Sequence, residues 1–297
     1  MLPIRRISTD LREVRWGHVL VEFVMLVVGI LLALAVNNWV EDRRDARIER
    51  QYLERLVRDF DADLGLIAEF AGFEKLQRED GIMAWRALAD PASMTDRDAV
   101  AAALSHLSTR RTLRLNRAAY TDLTSTGNLR LIRNDALRDQ VVGLYEANDR
   151  LNAIIDRNNQ FFIDESFAAY LASDALVAPR ASSNIPLLDR TQKQMASRMG
   201  RVPGTELDRL WQLGPESVEW ASLRNRLWTR TFISQANINY FDAAIARTAA
   251  ARAAVVAELD RRWPGSGAAL GAAPVASLAA EPVDPGETAT SPAPPGR

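Results

Sequence analysis

The chain has 297 residues, 47% hydrophobic and 25% charged, enough apolar material for one sizeable or two small packed domains and too much for a disordered polymer. Its formal net charge of -1 argues against a general nucleic-acid binder, which needs an excess of cationic side chains on one face to match phosphates. The absence of cysteine excludes disulfides and thiolate metal sites and leaves the redox compartment open.

Residues 1–18 read as a basic N-terminal tail carrying Arg5, Arg6, Arg12 and Arg15. From Val19 the chain reads "VLVEFVMLVVGILLALAV", a run that at the helical rise spans about 27 Å, close to the hydrocarbon thickness of a bilayer. Only Glu22 interrupts it, and Phe23 to Val36 is apolar all round, where a soluble helix of that length would show a polar face. Residues 19–40 are therefore predicted to form a single transmembrane helix. A cleaved signal peptide is the rival reading. Against it, the run is long for such a segment, and "AVNNWVEDRR" offers no convincing small-residue cleavage site before a charged helix begins. Trp16 and Trp39 flank the run as membrane-interface anchors, where indole rings favour the headgroup region.

At about 100° per residue, Glu22, Gly29, Ala33 and Asn37 share a narrow arc of this helix. Small residues let two helices approach closely, and a carboxylate or amide beside them gains most by facing another helix, so the arc predicts an association face and a homo-oligomer. The plainer alternative is that Glu22 sits at headgroup depth and only sets the height of the span. Orientation is read from the flanks: the arginines after the span outnumber those before it, but a short basic N-terminal tail ordinarily stays inside. The expectation is a cytoplasmic N-terminus and a periplasmic bundle.

Residues 41–172 are predicted to be the first part of an antiparallel helical bundle. Ile48, Tyr52, Leu56, Phe60, Leu64, Ile67 and Phe70 recur at three and four, so one amphipathic helix runs straight out of the span. Pro91 ends it, and Thr95 is expected to cap the next helix. The basic strip "RRTLRLNR", residues 110 to 117, lacks an aromatic platform and reads as a solvated face rather than a nucleic-acid surface. In "AYTDLTSTGNLRLIRNDALRDQVVGLYEAN" a helix ends near Ser125, Gly127 can take the left-handed conformation that closes it, and Asn134 can cap the following helix. Leu129, Leu131 and Ile132 are too apolar for a free loop, so this turn should pack against the bundle. Residues 173–215 read as an irregular excursion, 216–263 as a long C-terminal bundle helix, and 264–297 as a disordered Ala/Pro-rich tail. The fold class expected is all-α: a transmembrane helix continuous with a long amphipathic helix, followed by the bundle.

The pairing of "VVGILLALAVNNWVEDRR" with "AYTDLTSTGNLRLIRNDALRDQV" resembles a family of uncharacterised bacterial single-span membrane proteins, classed as a domain of unknown function. The resemblance extends over about residues 15 to 260. It rests on Glu22 before a span containing Gly29, on the exit Asn37, Asn38 and Trp39, and on the turn residues Tyr120, Leu123, Ser125, Gly127, Asn128 and Leu129. Val36 and Val40 depart from it, standing where glutamine and asparagine are common. The resemblance implies architecture and a place in the bacterial inner membrane, and brings no reaction.

Chemistry-bearing motifs are sparse. With two histidines, His18 beside the membrane and His106 in a helix, no multi-histidine metal centre can form, and a Ser-His-Asp set would depend on His106 alone. "DFDADLG" alternates Asp59, Asp61 and Asp63 like the start of a calcium loop but lacks its sixth-position glycine and twelfth-position glutamate, so it reads as a solvated helix face. No phosphate loop or nucleophile elbow is present. The expectation is no enzyme, no cofactor and no metal. The partners expected are the lipid bilayer, further copies of the chain and an unidentified membrane or envelope protein, with no nucleic acid. A structural or interaction role leads. The alternatives are a ligand-binding sensor with Phe161, Phe162, Trp211, Trp220 and Trp228 lining a pocket, and a pore built on the Glu22 face.

Overall fold

The structure, a computed structural model, describes residues 16–173, 176, 209–267 and 270–271. Among them there are helices and no strand. The basic tail before Trp16, most of the excursion and the Ala/Pro-rich tail from residue 272 lie outside the described residues.

Helix α1, Trp16–Ala89, is continuous over 74 residues, roughly 110 Å at the α-helical rise. Its first two dozen residues stand clear of the rest of the chain, and none of the apolar stretch is buried against it. From Glu49 onward the same helix carries a buried stripe of Leu53, Leu56, Phe60, Leu64, Ile67 and Ala84. One rod is thus lipid-compatible on all sides at one end and amphipathic at the other. After a 3₁₀ turn, Pro91–Ser93, come α2, Arg97–Leu107, and α3, Ala118–Ser125, joined by an irregular stretch, 109–117. Asp96, not Thr95, caps α2 by accepting from the Ala99 amide at 2.9 Å; its carboxylate also suits the positive end of the helix.

A 3₁₀ turn, Asn128–Leu131, leads to α4, Asp135–Asn158, which passes without a break into π-helical turns, Asn159–Ala168, and α5, Ala169–Ala172. The hydrophobic pattern carries no sign of the π-helical stretch. Short α6, Arg209–Leu213, precedes α7, Val218–Arg262, where Ser217 caps by accepting from the Trp220 amide.

Cross-contacts order these pieces as four alternating legs. The segment from α2 to α3 descends α1: Arg111 reaches Glu69, Asn116 reaches Asp63, Arg55 reaches Asp122, and Asn128 donates to Tyr52. Helix α4 then climbs, with Leu137 in the cluster around Leu56 and Phe60 and its continuation placing Phe167 beside Leu88. Helix α7 descends, from Trp220, whose indole donates to the Leu88 carbonyl at 2.9 Å, to Leu259 beside Leu53. The result is an up-down-up-down bundle whose second leg is broken in the middle. Apolar side chains form three clusters along it: one nearest the span, a middle one around Ile67, Phe70, Leu151 and Phe241, and a distal one around Leu104, Phe167 and Leu223.

Helices α1 and α7 approach closely at Gly81, where an added Cβ would fall 2.2 Å from Thr231 Oγ1 and 3.1 Å from its Cβ. Thr231 Oγ1 is bonded to the Leu227 carbonyl and cannot simply swing aside. Gly81→Ala should therefore lower stability by about 1–3 kcal/mol despite its better helix propensity. Gly65→Ala, whose Cβ would meet nothing in the chain, should raise it by up to about 1 kcal/mol. Thermal melts of the two variants in detergent check this opposite sign.

Candidate functional site

Glu22, Gly29, Ala33 and Asn37 lie on the exposed first third of α1, and an added Cβ at Gly29 would meet nothing within 4 Å. All four are exposed among the described residues. Asn37 Nδ2 donates along the helix to Glu41 at 3.5 Å. Trp39 is exposed and carries the Arg43 guanidinium 4.0 Å from its ring centre, a cation–π contact at the end of the apolar stretch. Trp16 begins the helix, and its side chain lies outside the described residues.

The inter-helix turn packs as its apolar content predicts. Gly127 has φ 69°, and Asn134 Oδ1 accepts from the Leu137 amide. Leu131 and Ile132 are buried, and Leu129 lies against the cluster nearest the span. Tyr120 stacks on Tyr145 with ring centres 4.2 Å apart, and Asn128 Nδ2 donates to Tyr52 Oη at 3.2 Å. Ser125 stays exposed and donates to the Asp122 carbonyl. The turn is tied to both neighbouring legs by charge. Glu49 of α1, almost fully buried, accepts from the Arg133 amide and pairs with Arg262 of α7. Asn134 Nδ2 donates to Glu258 at 3.0 Å. Burial opposes the Glu258 carboxylate, but hydrogen bonds from Arg261 and Asn134 and the charges of Arg261 and Arg262 outweigh it and hold its pKa below the usual range.

Two polar layers separate the apolar clusters, and neither was legible in the sequence. The upper one centres on Arg230, fully buried, which donates from Nε to the Leu107 carbonyl at 2.9 Å, from Nη1 to Ser234 at 2.6 Å and from Nη2 to Gln77 at 2.9 Å. Glu74 Oε2 lies 3.6 Å from Nη1. Burial draws the guanidinium pKa down, and Glu74 draws it back up. The chain of contacts extends through Asn237, which donates to Glu74 at 3.1 Å, to Asn158 at the start of the π-helical turns. On the other side Gln77 Nε2 donates to the His106 carbonyl, and His106 Nδ1 contacts Asp80. His106 is thus a buried member of a helix-joining network.

The lower layer centres on Asp63. The irregular stretch around Leu113 lacks helical partners for its backbone, and acidic side chains of α1 supply some: Asp63 Oδ1 accepts from the Asn116 amide at 2.8 Å and from its side chain at 2.9 Å, and Asp59 accepts from the Ala119 amide at 3.1 Å. Asp61 pairs with Arg252. The reading of these three acids as a solvated face is therefore corrected: Asp63 is fully buried, and a broken second leg needs its acceptor. Burial pushes the Asp63 carboxyl up to about 6 against the pull of the Asn116 hydrogen bonds, with Asp59 adding to the rise. Burial likewise pushes the Tyr145 phenol up, with Asp59 and Asp63 contributing.

The arginines of the basic strip reach acids on neighbouring legs, Arg110 to Asp164, Arg114 to Asp156 and Arg117 to Asp149, while Leu113 between them is buried. Among the described residues, Trp211, Trp220, Trp228 and Phe161 do not gather into one aromatic group. Trp211 and Trp220 meet edge to face at 5.8 Å, whereas Trp228 is 61% exposed against Trp85, and Phe161 is 51% exposed. Among the described residues no group of three or more acidic or histidine side chains is placed to hold a metal ion.

Residues 22–159 match the model of a family of unknown function, DUF6090. The matched region starts within the apolar part of α1, takes in the broken second leg and the packed turn, and ends where α4 becomes π-helical. Helix α7, which supplies Arg230, Asn237 and Arg262 to the contacts above, lies beyond it. No curated protein and no solved structure matches the chain.

Proposed function

We propose that the protein is a single-pass, oligomeric, membrane-anchored bundle that serves as a structural or protein-interaction component of the bacterial inner membrane. The observation that carries this reading is the continuity of α1: the helix that exposes an apolar surface on every side becomes, without a break, the central leg of the bundle. A rigid rod of this kind transmits position and load between bilayer and bundle, which a cleaved leader or a flexible tether would not. The exposed arc of Glu22, Gly29, Ala33 and Asn37 supports self-association, and the basic tail supports a cytoplasmic N-terminus with the bundle in the periplasm. Chemistry of catalysis plays no part in this reading.

Two measurements test it. The full-length chain should stay with vesicles through a carbonate wash, and recovery of the protein in the supernatant would end the anchored reading. The mass of the detergent-solubilised protein should exceed that of one chain and fall toward it in Gly29→Leu, because a bulky side chain holds two helices apart. Monomers in both samples would remove the oligomer.

A further inference from the structure

The lower polar layer contains more oxygen than the chain uses. Asp63 Oδ2, Tyr145 Oη, Asn148 Oδ1, Asn152 Oδ1 and Thr248 Oγ1 are all buried without a hydrogen-bond partner, and Asn148 Nδ2 is the one orphan dedicated donor on these side chains. Asp63, Tyr145, Asn148 and Thr248 are each at least nine-tenths buried.

Asp63, Asn148 and Thr248 share one level of the bundle, because the residues on either side of each fall into the same two clusters, while Tyr145 and Asn152 flank Asn148 about one helical turn to either side on α4. On α1, Asp63 sits between Phe60 of the cluster nearest the span and Ile67 of the middle cluster. On α4, Asn148 sits between Tyr145 and Leu151 of the same two clusters. On α7, Thr248 sits between Ala251 and Ala244, again one from each. Three legs therefore turn a polar side chain inward at the same height, and the Asp63 charge is felt at the Tyr145 phenol. A buried polar atom left without a partner destabilises the fold, and the two hydroxyls can donate as well as accept, yet none of the five oxygens finds a partner within the chain; an occupant that several of them share would relieve this.

The donor set suggests the occupant. It holds one carboxylate, two amide carbonyls and two hydroxyls, all hard oxygens, with no thiolate or imidazole. Calcium sites recruit several carboxylates to balance two charges, whereas this layer offers one. Of the nearby charges, Asp61 is taken by Arg252, Asp59 is engaged by the Ala119 amide, and Arg117 is drawn outward to Asp149. We propose that the layer formed by Asp63, Tyr145, Asn148, Asn152 and Thr248 binds a hard monovalent cation of the sodium type inside the bundle. Binding there ties α1, α4 and α7 together beside the broken second leg. The proposal goes beyond the anchoring role and does not depend on it: carbonate extraction reads the span, while ion binding reads the bundle.

The test is a thermal melt of the full-length chain in detergent at constant ionic strength, with sodium chloride replaced stepwise by choline chloride. The midpoint should rise saturably with sodium by several degrees. Asp63→Asn, which keeps the acceptor for Asn116, should abolish the sodium response, and Thr248→Val should weaken apparent sodium affinity at least tenfold. Calorimetric titration of the unmodified chain with sodium provides a second readout that needs no variant. A midpoint indifferent to the cation, an unchanged sodium response in Asp63→Asn, or a larger response to calcium would each overturn the proposal.

Discussion

Arg230→Met should destabilise the bundle by about 3–5 kcal/mol, the largest effect expected of any single substitution in the upper layer. The guanidinium is fully buried and satisfies the Leu107 carbonyl, Ser234 and Gln77 while lying beside Glu74. Methionine fills much of the volume, so the loss is electrostatic: a carboxylate with 5% exposure is left without its cation, and three acceptors lose a donor. Thermal melting in detergent should show a fall of roughly 10 °C. The double variant Glu74→Leu with Arg230→Met should recover much of it, because removing both charges removes the desolvation penalty as well. A single variant that melts with the parent would show that the buried pair carries no weight. A double variant no better than the single would place the loss in the packing of Arg230 instead.

Asp63→Asn has the opposite sign, and its effect depends on pH. The ordinary carboxyl value is 3.8 and burial raises Asp63 to about 6, so the folded chain holds this proton more tightly than the unfolded one. The associated stability is complete below about pH 4 and is lost as pH rises through 6. Asparagine retains an acceptor for the Asn116 amide and cannot ionise. In choline buffer at pH 7.5 the variant should therefore be the more stable protein by about 3 kcal/mol, and at pH 4 the two should melt nearly together. Sodium should narrow the gap at pH 7.5 by stabilising the parent alone. Equal stability at both pH values would show that Asp63 ionises without cost and is not enclosed as described.

The elements that sequence reading located share a simple property: their signals are local. The apolar run, the three-and-four spacing from Ile48 to Phe70, the positive-φ glycine at 127 and the cap at Asn134 each depend on neighbours within a turn or two of helix. The turn residues Tyr120, Asn128 and Leu129 were legible as a packed connection because apolar side chains in a turn need cover. What they pack against, Tyr145 and Tyr52, is 25 and 76 positions away from Tyr120 and Asn128 and follows only from the legs being brought together. Asp96 rather than Thr95 caps α2, because both are good caps and only backbone geometry chooses between them.

The polar layers escaped sequence reading for a physical reason. A buried Asp or Arg has the same local pattern as a solvated one, and helical spacing places Asp59 and Asp63 one turn apart in either case. Only the break in the second leg, which leaves amides such as that of Asn116 without helical carbonyls, turns Asp63 from a surface acid into a required buried acceptor. Arg230 is a similar case, since its partners come from α1, the end of α2 and its own next turn.

The primary structure by itself determined that this protein is helical, that one long stretch suits a bilayer, and where the connecting turn closes, because hydrophobic transfer and backbone conformation act over a few residues. Tertiary structure alone decided which charged side chains are withdrawn from water, since desolvation is a property of what four legs enclose together and no single leg carries it.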